Sequence, residues 1–110
     1  MIHVRSCLPE DEEAVFALAR DFATSFPVDQ AGFSEAFSQV LASPDMCLAV
    51  AQSEDAIIGY VLGTAHPTFY ASSYVGWVEE IMVKEDFRRK GVGRLLMENF
   101  ENWANPRIVA

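Results

Sequence analysis

The segment that most constrains the fold is residues 78–103, with the sequence V-E-E-I-M-V-K-E-D-F-R-R-K-G-V-G-R-L-L-M-E-N-F-E-N-W. It has the pattern of a hydrophobic strand with two adjacent acids, a basic glycine-containing loop and an amphipathic helix. Four of the eight Lys and Arg residues of the chain, Arg88, Arg89, Lys90 and Arg94, lie in this loop. A helix that follows such a loop presents free amide N–H groups and the positive end of its dipole to a ligand. The segment therefore predicts a site for an anion such as phosphate.

The composition limits the classes of protein to which the chain can belong. Its 110 residues suit one domain, and 51% hydrophobic with 22% charged residues is typical of a globular fold. The net charge of −8 argues against a nucleic-acid partner, because a phosphate backbone demands a basic surface. The apolar runs are too short for a membrane-spanning helix, and residues 1–7 lack the apolar core of a signal peptide. We expect a single domain over residues 1–110 of a cytoplasmic protein that binds neither nucleic acid nor membrane.

The two cysteines, Cys7 and Cys47, show neither a C-x-x-C spacing nor a nearby histidine cluster. This arrangement argues against a metal site or a redox pair. Free cysteine otherwise behaves as a small hydrophobic residue. We therefore expect two reduced, mostly buried thiols and no bound metal.

The first half of the chain predicts a strand followed by two helices. Residues 2–5 alternate between apolar and polar, as in a half-buried strand. The acids at residues 10–13 are expected in a solvated helix N-terminus, and a proline within residues 24–28 breaks that helix. Asp29 is a suitable N-cap for a second helix, which runs to about residue 42.

The second half predicts an antiparallel meander and a helix. Strands at residues 46–52 and 56–64 are separated by the short S-E-D turn of a hairpin, and a third strand spans residues 75–83. A helix follows from about residue 93 to 104, and Pro106 ends it before another strand begins at the end of the chain. The order of elements predicts an α+β fold with helices packed on a central sheet.

The connection at residues 65–76 is rich in aromatic and hydroxyl side chains. Loops of this composition often line a ligand pocket. Alternatively, Phe69, Tyr70 and Tyr74 pack on the sheet as part of a hairpin connection. The sequence leaves these two interpretations open.

Three phosphate-binding patterns can be compared with the basic loop R-R-K-G-V-G-R at residues 88–94. The Walker pattern G-x-x-x-x-G-K-[ST] is absent, and the dinucleotide pattern G-x-G-x-x-G is not completed. The pattern [QR]-x-x-G-x-[GA] directly after a strand is met by Arg88, Gly91 and Gly93. With I-x-V-R at the start, G-Y-V-L-G in the third strand and E-E-I-M-V before the loop, the sequence resembles the GNAT superfamily of N-acetyltransferases over essentially its whole length. Members of this family transfer an acetyl group from acetyl-coenzyme A to a primary amine.

The resemblance implies both a fold and a cofactor site. The fold is a mixed, mostly antiparallel central sheet with flanking helices. The loop amides and the following helix hold the pyrophosphate of coenzyme A, and glycines in the loop let the backbone approach it closely. The strand before the loop offers its main chain to the pantetheine arm, as though the cofactor were an added strand. The implied cofactor-binding residues are Ile81, Met82, Val83, Arg88, Arg89, Lys90, Gly91, Val92, Gly93 and Arg94.

Two adjacent acids are the candidates for the catalytic base. Transfer needs a neutral amine, because an ammonium has no lone pair with which to attack the thioester. Glu79 and Glu80 are neighbours on a strand and should face opposite sides of the sheet. The family's strand pattern makes Glu79 the first candidate for base or amine anchor and Glu80 the second, while His66 is a weaker candidate. The paired acids and the negative net charge favour a small or exposed, cationic amine, with acceptor contacts from residues 24–28 and 66–74.

The sequence departs from the family pattern at its C-terminus. GNAT domains usually continue through further strands and a helix, and that region commonly supplies a tyrosine that acts as acid toward the departing thiolate. We therefore expect a C-terminally incomplete domain and a homodimer that completes the sheet. The alternative function is a non-catalytic acyl-coenzyme A-binding or assembly module derived from the same fold.

Overall fold

The computed structural model describes residues 1–23 and 27–108. Its elements in chain order are β1 (Ile2–Ser6), a 3-10 turn (Pro9–Asp11), α1 (Glu12–Phe22), α2 (Gln30–Ala42), β2 (Met46–Ser53), β3 (Ala56–Thr68), β4 (Ser73–Val83), a second 3-10 turn (Glu85–Phe87) and α3 (Val92–Ile108). No helix within the described ranges is long and apolar enough to cross a membrane.

The four strands form one sheet in the order β1-β2-β3-β4, and each neighbouring pair is antiparallel. The predicted α+β class and the meander are confirmed. Two buried clusters lie on opposite faces of the sheet: Val50 and Tyr60 pack with residues of α1 and α2, whereas Ala51 and Val61 pack with residues of α3. β4 forms one edge of the sheet, and this strand leads directly into the basic loop.

Helix α3 packs on the sheet through residues spaced four apart. Val92, Leu96, Phe100 and Ala104 are all buried, as expected for the apolar stripe of an amphipathic helix. Gly63 of β3 permits this close packing, because a Cβ at that position would lie 2.2 Å from Cε1 of the Phe100 ring. The second glycine of G-Y-V-L-G therefore has a structural role in seating α3.

The boundary between α1 and α2 lies where the sequence predicts it. α1 ends at Phe22, and residues 24–26 of the predicted break lie outside the described residues. The Asp29 carboxylate accepts a hydrogen bond from the Gly32 N–H at 2.8 Å. This bond satisfies one of the free N–H groups at the start of α2 and confirms Asp29 as its N-cap.

The acidic stretch before α1 is not wholly solvated, contrary to expectation. Asp11 is buried, and its carboxylate accepts hydrogen bonds from the Arg5 guanidinium at 2.8 and 3.0 Å and from the Leu8 N–H at 2.8 Å. The bond from Arg5 holds the pKa of Asp11 below its usual range. This ion pair ties β1 to the start of α1.

The hairpin of β3 and β4 is longer than the sequence predicts. Pairing runs from Gly59 and Val83 to Thr68 and Ser73, so most of the predicted loop at residues 65–76 is strand. The far end of β4 rests on α3, because a Cβ at Gly76 would lie 3.4 Å from that of Ala104. The support of α3, which the local composition does not reveal, accounts for the extra strand pairs.

Helix α3 continues to Ile108, so the predictions that Pro106 ends it and that a strand begins at Ile108 are wrong. The last turn is held by side chains. Arg107 Nη1 donates to the Trp103 carbonyl at 2.6 Å, and its guanidinium lies 4.0 Å from the centre of the Trp103 ring. Ile108 packs against the α3-side core. These contacts offset the hydrogen bond that proline cannot make.

Candidate functional site

The basic loop contains two residues in the left-handed backbone conformation, which residues with a Cβ rarely adopt. Arg89 and Gly91 have φ values of 65° and 82°. Left-handed residues of this kind turn successive N–H groups toward one side and form concave anion-binding nests. A Cβ placed on Gly91 or Gly93 would meet no atom within 4 Å. The backbone of the loop therefore lies beside open space, in which a ligand can approach it.

The start of α3 offers hydrogen-bond donors to that space. The first helical bond is donated by the Leu95 N–H to the Gly91 carbonyl at 3.1 Å. Among the hydrogen bonds of the described residues, none is donated by the backbone N–H of Val92, Gly93 or Arg94. These three donors and the positive end of the helix dipole are what an anion site needs.

The cations of the loop are exposed. Arg88, Arg89, Lys90 and Arg94 all have exposed side chains, and within the described residues none of them forms an ion pair. The Arg88 Nε donates to the Val83 carbonyl at 2.8 Å, which ties the loop to the end of β4. The loop therefore presents positive charge that no carboxylate of the described chain neutralises.

The outer edge of β4 has main-chain groups available for a further strand or a ligand. The Lys84 N–H donates to the Ile58 carbonyl at 2.8 Å and therefore points toward β3. The N–H and C=O groups of successive residues point to alternate sides of an antiparallel strand. Those of Met82 therefore point toward β3 as well, and those of Ile81 and Val83 point toward the free edge. Of the three predicted pantetheine-binding residues, Ile81 and Val83 thus have main-chain groups on the free edge, where the Val83 carbonyl already accepts from Arg88 Nε, and Met82 does not.

Glu80 lies on the α1–α2 side of β4 and is hydrogen-bonded to Tyr60. The Tyr60 hydroxyl donates to Glu80 Oε1 at 2.6 Å. Burial, followed by the hydrogen bond to Glu80, raises the pKa of Tyr60 far above its usual range. Tyr60 therefore stays protonated and acts as a donor to the Glu80 carboxylate. The sequence does not single out this tyrosine, although its alternation with Leu62 places both on one face of β3.

A β-bulge separates Glu79 from this pair. Leu62 is paired with Glu80, but the next residue of β3, Gly63, is paired with Val78. Glu79 is thus an extra residue without a partner on β3, and such a residue interrupts the regular alternation of side chains. The argument that Glu79 and Glu80 face opposite sides of the sheet does not apply here. Glu79 is exposed, whereas Glu80 is partly buried.

A groove of about 660 Å³ lies between α1, α2 and the sheet, with Glu80 in its wall. This volume is in the range of small-molecule binding sites. Val28, from the predicted acceptor segment at residues 24–28, contributes to the wall. Other apolar lining residues come from both helices and from the sheet, and they include Val15, Ala19, Phe22, Phe33, Phe37, Val40, Leu48 and Leu62.

The second predicted acceptor segment, residues 66–74, is not part of the described lining of this groove. His66 lies in β3, opposite Val75, and not in a loop. Phe69 and Tyr70 at the hairpin tip are almost completely exposed, so they do not pack on the sheet. The structure brings Glu80 together with Tyr60, and it does not bring His66 into the same groove.

The two cysteines are buried free thiols, as predicted. Burial raises the pKa of Cys7 to about 12 and that of Cys47 to about 11, so both stay protonated at neutral pH. In residues 1–23 and 27–108, no three His, Cys, Asp or Glu side chains are grouped as a metal site requires.

The comparisons with known proteins concern the family and the fold. A model of the acetyltransferase (GNAT) family matches residues 13–109. The fold is shared with glucosamine-6-phosphate N-acetyltransferase from Arabidopsis thaliana, at 18% identity and a TM-score of 0.81 over 96% of this chain and 76% of that one. AAC(6')-Iy, solved with the bisubstrate analog CoA-S-monomethyl-acetylneamine, is 19% identical with a TM-score of 0.85 over 96% of this chain and 73% of that one.

A third solved structure is the aminoglycoside 6'-N-acetyltransferase AAC(6')-IG from Acinetobacter haemolyticus, at 22% identity and a TM-score of 0.83 over 94% of this chain and 72% of that one. No curated protein matches the sequence. The chain thus spans about three quarters of the length of these solved structures. Because the family model matches nearly all of the chain from residue 13 onward, the chain belongs to the acetyltransferase (GNAT) family.

Proposed function

We propose that the chain binds acetyl-coenzyme A along the free edge of β4 and at the start of α3, and that it acetylates the primary amine of a small or exposed, cationic acceptor. The observation that carries this proposal is the placement of three features on one continuous segment. The free edge at Ile81 and Val83, the carboxylate of Glu80 and the basic loop follow one another along the chain. We also propose that residues 1–110 act as a single domain and function in the cytoplasm.

The residues of the loop fit the pyrophosphate of coenzyme A. Free amides at the start of α3 and the open space over Gly91 and Gly93 suit an anion held by the backbone. Arg88, Arg89, Lys90 and Arg94 supply the compensating charge, and Ile81 and Val83 offer main-chain groups to the pantetheine arm. When bound, acetyl-coenzyme A supplies the acetyl group as an activated thioester. The chain itself positions this group and prepares the amine.

We propose Glu80, rather than Glu79, as the residue that accepts the proton of the amine. Its carboxylate is in the wall of the groove, and the short hydrogen bond from the Tyr60 hydroxyl holds it in place. Glu79 is exposed at the bulge, where we assign it to the initial attraction of the cationic acceptor. Tyr60, whose pKa is raised, is a poor proton donor to a leaving thiolate.

The solved structures with the same fold support an amine acceptor. One is a glucosamine-6-phosphate N-acetyltransferase, and another holds an analog that joins CoA to acetylneamine. The first name specifies N-acetyl transfer to glucosamine 6-phosphate. Because the identities are below one quarter, the comparison carries the fold, and a panel of amines tests the acceptor.

The test is the release of free thiol from acetyl-coenzyme A with a panel of amines, measured for the wild type, Glu80→Gln, Glu79→Gln and the exposed control Glu101→Gln. Loss of a general base lowers kcat by about 10²- to 10⁴-fold. We expect that loss for Glu80→Gln, a smaller change that is mainly in KM for Glu79→Gln, and none for Glu101→Gln. Full activity in Glu80→Gln with a strong loss in Glu79→Gln would reverse the assignment.

A second candidate function is a non-catalytic acyl-coenzyme A-binding or assembly module, in which a homodimer completes the sheet. The free edge of β4 and the exposed aromatic side chains of Phe69, Tyr70 and Trp77 favour an association of this kind. Sedimentation would then give twice the mass of one chain. Cofactor binding without turnover, unchanged by both Glu→Gln substitutions, would support this candidate over the enzyme.

A further inference from the structure

We propose that the acceptor is an amphipathic monoamine, with one ammonium group on an apolar aliphatic or aromatic body, and that this body binds in the groove between α1, α2 and the sheet. This inference deepens the proposed function and rests on it for the placement of the amine at Glu80. It distinguishes the acceptor from polyamines and aminoglycosides, in which charge or hydroxyl groups are spread over the whole molecule.

The walls of the groove carry the first part of the inference. α1 contributes Val15 and Phe22, and α2 contributes Phe33 and Phe37. The described lining residues include no serine, threonine, asparagine or glutamine, and the only side-chain polar atoms among them are those of Glu80 and Tyr60. A polar group placed against these walls would lose its hydrogen bonds to water without replacement. An apolar body loses nothing comparable and gains from burial.

The charge of the groove carries the second part. Glu80 is the only ionisable carboxylate among the described lining residues, so the groove can pair one cation. The Tyr60 hydroxyl already uses one acceptor position of Glu80 Oε1, and the other carboxylate positions can accept from an ammonium. A second ammonium deeper in the groove would have no partner among the described residues. Complementarity therefore favours a single positive charge.

The position of Glu80 on β4 links this groove to the cofactor edge. Glu80 directly precedes Ile81, whose main-chain groups point toward the free edge of the sheet, and successive strand residues are about 3.3 Å apart. An amine paired with Glu80 is therefore held within a few residues of the strand edge assigned to the pantetheine arm. The apolar body then extends away between α1 and α2.

A series of unbranched primary amines from propylamine to heptylamine tests the inference directly. Binding to the 110-residue chain would be measured by calorimetry or by NMR titration without cofactor. Each methylene that enters an apolar site should tighten binding by about fourfold. Heptylamine should also bind at least about tenfold more tightly than neutral 1-heptanol, because it forms a charge-assisted bond with Glu80. Spermidine and kanamycin should bind more weakly than heptylamine.

Two matched substitutions locate the site. Ala36 and Ala42 are both exposed on α2, but only Ala36 lines the groove. Ala36→Trp should weaken heptylamine binding by at least about tenfold, because it fills space that the alkyl chain needs, and Ala42→Trp should leave binding unchanged. Glu80→Gln should reduce the affinity for heptylamine to that for heptanol. Far-UV circular dichroism of each variant confirms that the chain remains folded.

The inference is overturned if affinity does not rise with chain length, or if spermidine binds more tightly than heptylamine. Equal effects of Ala36→Trp and Ala42→Trp would also overturn it. A parallel titration with acetyl-coenzyme A separates these results from the proposed function. Cofactor binding with a flat amine series refutes the inference alone, whereas a rising amine series without cofactor binding refutes the proposed transfer reaction.

Discussion

Two Gly→Ala substitutions in the basic loop should change stability in opposite directions. A Cβ added at Gly91 or at Gly93 would meet no atom within 4 Å, so neither substitution creates a clash. The two positions differ in backbone conformation, because Gly91 has a φ of 82° and Gly93 lies in the first turn of α3. Any difference in stability therefore reports the backbone and not the packing.

The magnitudes follow from that difference. A Cβ in the left-handed region costs about 1–2 kcal/mol, whereas Gly→Ala at a compatible helical position stabilises by about 0.4–1 kcal/mol. For a chain of this length, 1 kcal/mol corresponds to about 4 °C in Tm. We expect Gly91→Ala to lower Tm by about 4–8 °C and Gly93→Ala to raise it by about 2–4 °C. Thermal unfolding followed by circular dichroism measures both.

Acetyl-coenzyme A binding to the same variants completes the test. The pattern [QR]-x-x-G-x-[GA] admits alanine at the position of Gly93, so the affinity of Gly93→Ala should be within about threefold of the wild type. Gly91→Ala should lose at least about tenfold in affinity, because a Cβ disfavours the left-handed backbone that sets the direction of the loop amides. Gly32→Ala at the start of α2 controls for substitution at a helix start far along the chain. The reasoning is refuted if Gly91→Ala is as stable as the wild type, or if Gly93→Ala is the more damaging change.

Three further predictions concern the scaffold. Gly63→Ala should lower the free energy of unfolding by about 1–3 kcal/mol, because its Cβ overlaps the Phe100 ring, and Phe100→Leu in the same chain should restore part of it in urea titrations. Burial raises the pKa of Cys47 to about 11, so the stability contributed by the neutral thiol is complete below about pH 9 and is lost as pH rises. Cys47→Ala should therefore make the alkaline loss of stability shallower. The hydrogen bond from Arg5 lowers the pKa of Asp11, so the stability from this pair is lost as pH falls below about 4. Asp11→Asn should therefore make the loss of stability at acid pH shallower. An unchanged urea midpoint in any of these comparisons would contradict the corresponding reasoning.

The sequence predicts well those parts of the fold that depend on local pattern. The N-cap Asp29, the hairpin of β2 and β3 and the apolar stripe of α3 all follow from residue spacing, which local physics dictates. The errors lie where distant residues decide the outcome. Pro106 does not end α3, because Arg107 and Ile108 hold the last turn against the rest of the molecule.

The functional site divides in the same way. The loop around Gly91 stands out in the sequence because its basic side chains and glycines lie within seven consecutive residues, and the structure adds the free N–H groups at the start of α3. The relation between Glu79 and Glu80 is not recognisable, because the bulge that breaks their alternation depends on pairing with Leu62 and Gly63. Likewise, Tyr60 meets Glu80 only through the register of two strands, so no spacing along the chain identifies that bond.

The measurement that tests the central claim most directly is a calorimetric titration of acetyl-coenzyme A into the wild-type chain and into Gly91→Trp. A tryptophan at this position strains the left-handed backbone and fills the open space beside the loop amides. We predict one bound cofactor for each wild-type chain and no detectable binding to Gly91→Trp when its circular dichroism spectrum shows a folded chain. No binding heat with the wild type over a range of temperatures, or equal affinity for a folded Gly91→Trp, would contradict the assignment of this loop to coenzyme A.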